Sequence, residues 1–167
     1  MKKAWTMLEL VFVIVIIGVL ASVAIPRFAT NRIDAEVAMA RNDISNLLEA
    51  IEARVFAENL DPTESAPDGF SNWGEWMMDT GGLDRSRWEA RDNTLGPLGD
   101  TIIDGNRTNF CGPIIQLDTT TGDLTFDPNQ IQDNEEQKSV FCADLKDSYP
   151  SGSNRTIPLE STDEVKF

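Results

Sequence analysis

The apolar and polar positions predict a helix near the start of the chain that is apolar on all sides. From Leu10 to Ile25 no residue carries a charged side chain, and extending the run back to Met7 adds only Glu9. At about 1.5 Å of rise per residue, a helix from Met7 to Ile25 is roughly 28 Å long, close to the ~30 Å thickness of the hydrocarbon layer of a bilayer. Such a helix can span a membrane.

A second helical pattern follows, in which apolar residues return in alternating steps of four and three. These residues are Ile33, Val37, Ala40, Ile44, Leu47, Ile51 and Val55. Charged residues between them form a polar face, so this half is amphipathic. Although Pro26 would end or kink a helix, the pattern favours one long helix that ends near Leu60, where Asp61-Pro62 follows. A small domain cannot bury both halves, so the first half must lie in lipid or against other chains.

The segment after the helix is rich in glycine, proline, aspartate and asparagine, which is typical of loops. We predict an irregular connecting region over residues 61–109, held against the helix by large aromatic side chains. These anchors are Phe70, Trp73, Trp76 and Trp88. A ligand-binding aromatic cluster is the alternative interpretation.

Residues 114–127 predict a β-hairpin, because two apolar runs flank a turn that contains Gly122. Residues 139–143 predict a further strand. An antiparallel sheet formed by these strands would bury the apolar stripe of the amphipathic helix. The predicted fold class is therefore α+β, with a long N-terminal helix packed against a small antiparallel sheet.

Composition excludes several kinds of function. The chain has 167 residues, 28 acidic and 14 basic side chains and no histidine, which gives a net charge of −14. Without histidine there is no Ser-His-Asp or Cys-His pair and no imidazole zinc site, so neither an enzyme nor a cofactor is predicted. Residues 61–167 alone hold eight basic and 21 acidic groups. This charge repels phosphate backbones and disfavours a nucleic-acid partner.

Glu9 is the one acidic residue in the apolar run, and it suggests a function. A carboxylate at the edge of a membrane segment costs a few kcal/mol unless another group neutralises it. One alternative is that Glu9 lies at the interface in contact with water. Another is that the whole segment is a cleavable signal peptide, with Lys2 and Lys3 before the apolar run and the small residues 22–24 as the cleavage site.

Residues 2–10, KKAWTMLEL, resemble the processing signal of type IV pilins and type II secretion pseudopilins. In that family a prepilin peptidase removes a short basic leader before an aromatic residue and methylates the new amine. The resemblance implies cleavage between Ala4 and Trp5, methylation of Trp5, and Glu9 as the fifth residue of the mature chain. Gly18 and Pro26 match the family's glycine and proline. The chain has Ala4 and Trp5 where glycine and phenylalanine are usual.

The resemblance, strong over residues 1 to about 55, implies that the chain waits in the inner membrane and then polymerises into a filament. Glu9 of an incoming copy would meet the Trp5 amine of the copy before it, with Gly18 and Pro26 as further assembly residues. The other partners would be the prepilin peptidase and the inner-membrane assembly machinery. The implied organisation is a leader (1–4), a transmembrane and polymerisation half of the helix (5–26), an amphipathic half (27–60), the connecting region (61–109) and a β head with a disulfide-closed loop (110–167).

The same topology places Cys111 and Cys142 in an oxidising compartment, where two cysteines usually pair. Pairing would staple the hairpin to the later strand and contribute about 3 to 4 kcal/mol in the chain-entropy model. Two buried free thiols are the alternative.

Two further modifications or ligands have weaker support. Asn106 lies in an N-glycosylation sequon with an acidic residue two positions upstream, the extended form that bacterial transferases prefer. Asp118, Asp123 and Asp127 are candidate calcium ligands by resemblance to some pseudopilins, but their spacing fits no EF-hand loop. Solvated turn residues are the favoured interpretation of these three aspartates, and no metal site is predicted.

Three functions follow from these patterns. The first is a pilin in an extracellular filament, and the second is a pseudopilin in a short periplasmic fibre. The third, from another class, is a monomeric extracytoplasmic binding module, either held by a plain signal anchor or released by signal peptidase. A filament subunit of this kind has no active site of its own.

Overall fold

The computed structural model describes residues 6–100, 102–103, 106–107, 109–132 and 139–159, without the side chains of residues 23–31, 102–103 and 106–107. In this part of the chain it has an α+β fold with three α-helices, one 3-10 turn and a five-stranded antiparallel sheet. The chain divides into two units, Met1–Glu36 and Val37–Phe167.

Helix α1 runs from Met7 to Glu58 and stays helical through Gly18 and Pro26. It ends two residues before the predicted position. Asn59 adopts the left-handed conformation with φ of 51°. The N–H of Leu60 then donates to the carbonyl of Val55, and the N–H of Asn59 donates to that of Phe56. This pair of bonds is a Schellman motif, which satisfies carbonyls that the end of a helix would otherwise leave unpaired.

In the part of the chain that the structure describes, no helix is both long enough and apolar enough to cross a membrane. The membrane-spanning role of residues 5–26 stays a prediction.

The sheet lies entirely in the second unit. Its strands are β1 (Trp88–Arg91), β2 (Thr94–Pro97), β5 (Ile115–Asp118), β6 (Asp123–Phe126) and β7 (Arg155–Pro158), in the order β1-β2-β5-β6-β7. Two short strands, β3 (Ile102–Ile103) and β4 (Asn106–Arg107), pair separately. The predicted hairpin is confirmed as β5 and β6. Its turn places Gly122 at φ of 71°, a conformation that glycine adopts without steric cost.

The segment 61–109 is more regular than predicted. It contains a second helix, α2 (Trp73–Thr80), and the β1–β2 hairpin. The side chain of Asn72 caps α2 by accepting a hydrogen bond from the backbone N–H of Glu75. The hairpin turns at Asp92, which has φ of 49°. Aspartate tolerates this conformation. The polar residues that predicted a loop therefore have specific roles, because Asn72 begins a helix and Asp92 closes a turn.

The strand predicted at residues 139–143 is wrong, because this segment begins helix α3 (Val140–Asp147). Ser139 caps the helix, with its Oγ accepting a hydrogen bond from the N–H of Cys142. A short apolar run fits a strand or a buried helical turn equally well, and here the capping serine favours the helix.

The core of the second unit forms around the predicted helical stripe. Five residues of the stripe, from Ala40 to Val55, are at most 4% exposed. They are Ala40, Ile44, Leu47, Ile51 and Val55. The other buried side chains of this unit come from α2, the sheet and α3, and include Trp76, Trp88, Leu95, Ile115, Leu124 and Leu145.

Two of the predicted aromatic anchors contact α1 directly. The indole N–H of Trp88 donates to Asp43 at 3.2 Å, and Arg87 pairs with the same carboxylate at 3.2 Å. The guanidinium of Arg54 lies 5.2 Å from the ring centroid of Trp76. These contacts hold β1 and α2 against the helix, so the aromatic residues have a structural role in this part of the fold.

Replacing Leu47 by alanine tests this core. The side chain is 0% exposed and packs so tightly against α2 that a Cβ atom at Gly81 would collide with it. Leu47→Ala is expected to lower the free energy of unfolding by about 2–5 kcal/mol, measured by urea denaturation of the full chain. Met39→Ala, at a position that is 51% exposed on the same helix, is the control and should change it by about 0.5 kcal/mol or less. Equal stability of the two variants would contradict this account of the core.

Candidate assembly surface

The first part of α1 exposes large apolar side chains on every side of the helix. They are 42% to 88% exposed and form what we call the apolar surface. Its members are Met7, Leu8, Leu10, Val11, Phe12, Ile14, Val15, Ile16, Ile17, Val19 and Leu20. Monomeric soluble proteins rarely expose continuous apolar patches of this kind unless the patch contacts a partner or a membrane.

Burial of this surface would supply a large driving force for association. A helix that is hydrophobic all round normally lies inside a large protein or in lipid. Moving one Val, Leu, Ile, Phe or Met side chain fully out of water contributes roughly 1.5–3 kcal/mol. The apolar surface is therefore suited to contact lipid, other helices of the same kind, or both in succession.

Glu9 lies within the apolar surface and takes part in a hydrogen-bonded cap at the start of α1. Its Oε2 accepts hydrogen bonds from the backbone N–H of Thr6 at 2.9 Å and from the Thr6 hydroxyl at 2.8 Å. In return, the backbone N–H of Glu9 donates to Oγ1 of Thr6 at 3.3 Å. This reciprocal arrangement is a capping box, and a carboxylate there also interacts favourably with the positive end of the helix dipole.

Apolar side chains lie beside the exposed Glu9 on the helix surface. Leu8, Val11, Phe12 and Val15 line a shallow depression beside Glu9 on the same helix. This surface thus combines one negative charge with neighbouring apolar side chains.

The remaining predicted assembly residues are less informative in the single chain. Ala4 and Trp5 lie outside the described residues. Gly18 lies in α1, where an added Cβ would have no atom within 4 Å. Pro26 also lies in α1, but its side chain is outside the described part. No described residue therefore packs closely against Gly18.

Thr6 is a residue that sequence analysis missed. Its side chain contributes two of the three hydrogen bonds of the capping box. The Thr-x-x-Glu spacing ahead of an apolar run is a known signature of a helix start and could have identified it. The resemblance drew attention to Glu9 alone, so the residue that holds its carboxylate was overlooked.

The two cysteines form the predicted disulfide. Cys111 and Cys142 are 0% and 2% exposed, and the bond closes a loop with a sequence separation of 31. The bond joins the segment before β5 to the first turn of α3, instead of joining the hairpin to a strand. Ser139 braces this turn, because its Oγ also accepts the backbone N–H of Asp100 at 3.2 Å and donates to the Asp100 carboxylate.

The three aspartates considered for calcium make local hydrogen bonds. Asp118 and Asp123 lie opposite each other in the β5–β6 hairpin. Asp118 accepts the N–H of Thr120 at 2.8 Å, and this bond lowers the pKa of Asp118. Asp127 accepts the N–H of Asn129 and begins the 3-10 turn Pro128–Gln130. Within the described ranges, no three His, Cys, Asp or Glu side chains are grouped so that they could hold a metal ion.

The predicted glycosylation site lies in β4, where the backbone of Asn106 pairs with Ile103. Its side chain is outside the described part of the chain, so modification of Asn106 stays a prediction.

Comparisons of this chain with protein-family models, with curated proteins and with solved structures found no match.

Removing the disulfide tests its contribution to the fold of the second unit. Replacing both cysteines by alanine is expected to lower the free energy of unfolding by about 3 to 4 kcal/mol, because the open chain gains conformational freedom when it unfolds. The measurement is urea denaturation of the variant and of the parent chain, with the reduced parent as the matched control. Two reactive thiols in the unfolded but unreduced parent would show that the bond is absent.

Proposed function

We propose that this chain is the structural subunit of a type IV pilus-like filament, and that it assembles through its N-terminal helix after cleavage between Ala4 and Trp5. The observation that carries this proposal is the apolar surface of α1, which is exposed all round the helix and contains a single carboxylate, Glu9. The processing motif at residues 2–10 supports the same function. The proposed precursor lies in the bacterial inner membrane, and the assembled filament is extracellular.

Charge pairing between copies gives the filament its register. Cleavage would create a cationic amine at Trp5. Each copy of the chain would then carry this cation four residues before the anionic Glu9. Each charge alone is costly in an apolar environment, and the two are much less costly together. An incoming copy can therefore lower its free energy by placing Glu9 at the amine of the copy before it, while the apolar surfaces pack side by side.

The second unit would be the exposed head of each subunit. It has its own core around Leu47 and its own disulfide, so it can fold without help from the apolar surface. The prepilin peptidase and the inner-membrane assembly machinery are the proposed partners of the precursor, and copies of this chain are the partners in the filament. The head displays a surface and performs no catalysis.

The pseudopilin function is the closest alternative, because the same motif and the same apolar surface would serve a short periplasmic fibre. Filaments outside the cell would favour the pilin. Loss of protein secretion on deletion of the gene, without such filaments, would favour the pseudopilin.

The mature N-terminus distinguishes a filament subunit from a monomeric binding module. Mass spectrometry of the chain from its native host is expected to show a start at methylated Trp5, because the motif directs cleavage after Ala4. A start at Ile25 would show release by signal peptidase, and a start at Met1 would show a plain signal anchor. Either of these results would refute the proposed function.

Removing the carboxylate tests the proposed charge pair. Glu9→Ala is expected to leave expression and membrane insertion intact and to stop filament growth, because the Trp5 amine then has no anionic partner. Filament yield by electron microscopy is the measurement. Glu49→Ala is the matched control, since Glu49 is an exposed acid on the same helix outside the apolar surface. Abundant filaments from Glu9→Ala would defeat the proposal.

A further inference from the structure

We propose that the second unit of each chain carries a docking site for an acidic loop of a second copy. The docking site, which we call the basic patch, consists of Arg41 and Arg155 around the aromatic rings of Phe126 and Tyr149. The acidic loop is residues 61–68. This inference rests on the proposed function, because the two surfaces belong to different copies and meet only in an assembly.

The basic patch is formed by two arginines from different elements that share one pair of aromatic rings. The guanidinium of Arg41, on α1, lies 5.2 Å from the ring centroid of Tyr149. The Tyr149 ring in turn lies 5.2 Å from the ring of Phe126, edge to face. Arg155 is the cross-strand partner of Phe126, so these two side chains project from the same face of the sheet. Both arginines are exposed, and this part of the surface therefore presents two cations.

The arginines of the basic patch lack the internal partners that other arginines of this unit have. Four others each pair with a carboxylate of the same chain, namely Arg54, Arg85, Arg87 and Arg91. Within the ranges that the structure describes, neither Arg41 nor Arg155 forms an ion pair. A guanidinium presents a fork of N–H donors that matches the two oxygens of a carboxylate. These two arginines are therefore available to carboxylates of another molecule.

The acidic loop supplies carboxylates of the matching kind. Asp61, Glu64 and Asp68 are all exposed. In the described part of the chain, the carboxylates of Glu64 and Asp68 form no ion pair and no hydrogen bond. The loop itself is held in place, because the indole N–H of Trp73 donates to the carbonyl of Glu64 at 3.0 Å. Two unpaired carboxylates thus project from a fixed segment.

The two surfaces lie at different positions along α1. Arg41 precedes the helix end at Glu58 by 17 residues, which is about 26 Å at 1.5 Å per residue, and the acidic loop begins beyond that end. A contact between two unlike surfaces of identical subunits is heterologous. Repeated heterologous contacts build an open helical fibre when their rotation does not close a ring. Docking of the acidic loop of one copy on the basic patch of the next is therefore compatible with a filament.

Complementary charge at this contact acts against the overall repulsion between copies. The net charge of −14 makes two chains repel each other at long range. At short range, a cationic surface that faces carboxylates attracts, whereas two acidic surfaces in contact are disfavoured. Complementarity of this kind mainly selects the orientation of the partners. The basic patch would thus favour one register of the heads among those that the apolar surfaces allow.

Reversing the charge of the acidic loop separates docking from general repulsion. Glu64→Arg combined with Asp68→Arg makes each chain less negative by four charges, so general repulsion alone would raise the filament yield. Docking predicts instead a yield that is about fivefold lower, the size of effect expected from the loss of two exposed ion pairs. The measurement is filament yield per processed chain by electron microscopy, with the full chain expressed in its native host. Urea denaturation of the purified chain checks that the fold is unchanged.

Two further variants complete the experiment. Arg41→Glu combined with Arg155→Glu is expected to lower the yield at least as much, and joining all four substitutions is expected to restore it, because the charges of the two surfaces are then exchanged. Asp144→Arg combined with Asp147→Arg is the matched control. These two exposed acids lie on α3, outside the acidic loop, and their reversal changes the net charge by the same amount without lowering the yield.

The outcomes distinguish this inference from the proposed function. Equal yields of the loop variant and the α3 control would overturn the inference, as would a folded fourfold variant that does not recover. A loss confined to the arginine variant would also overturn it, since the basic patch would then bind a different anion, and binding of the parent to vesicles of anionic phospholipid would identify a lipid. Each of these results leaves the proposed function intact, which the N-terminal mass and the Glu9→Ala variant decide.

Discussion

Burial of apolar helix surface is the constraint on which the rest of this structure depends. In the second unit, the stripe from Ala40 to Val55 is almost fully removed from water. β1 and α2 contact this part of the helix through Trp88 and Trp76. In the first unit, the apolar surface has no such cover among the described residues, and its side chains are 42% to 88% exposed. The sequence thus contains one apolar stripe that the chain itself buries. It also contains an apolar surface whose burial would need lipid or further copies of the chain. The proposed filament function would bury that second pattern.

Several polar contacts keep the second unit closed around its stripe. Asp43 on α1 accepts the indole N–H of Trp88 and pairs with Arg87, which holds the β1 edge of the sheet to the helix. The disulfide and the Ser139 cap fix the start of α3. At the opposite edge, β7 ends in Pro158, which has no N–H to offer to an additional strand. In the proposed filament, contacts between subunits would lie along the helix.

Charge would act against close approach of the heads in the proposed filament. In the second unit Arg54, Arg85, Arg87 and Arg91 each pair with carboxylates of the same chain. These pairs contribute little individually, because most are exposed to water. They also leave the excess of acidic residues uncompensated. In the proposed filament, neighbouring heads would therefore repel one another over roughly the 10 Å Debye length at 0.1 M salt, and burial of the apolar surface would have to exceed this repulsion.

The sequence by itself determined the features whose signal is long or local: the extent of α1, the buried stripe within it and the β5–β6 hairpin. The cap that Thr6 forms with Glu9 was overlooked, although its Thr-x-x-Glu spacing is present in the sequence. A period of 3.6 residues that repeats over many turns predicts a helix with little ambiguity. A turn with glycine between two apolar runs predicts a hairpin almost as clearly. The tertiary structure decided α2, the β1–β2 hairpin and the helical state of residues 140–147. These segments are four to eight residues long. Over that length an apolar run fits a strand, a helical turn or a buried loop, and only the surfaces that it packs against select one of them.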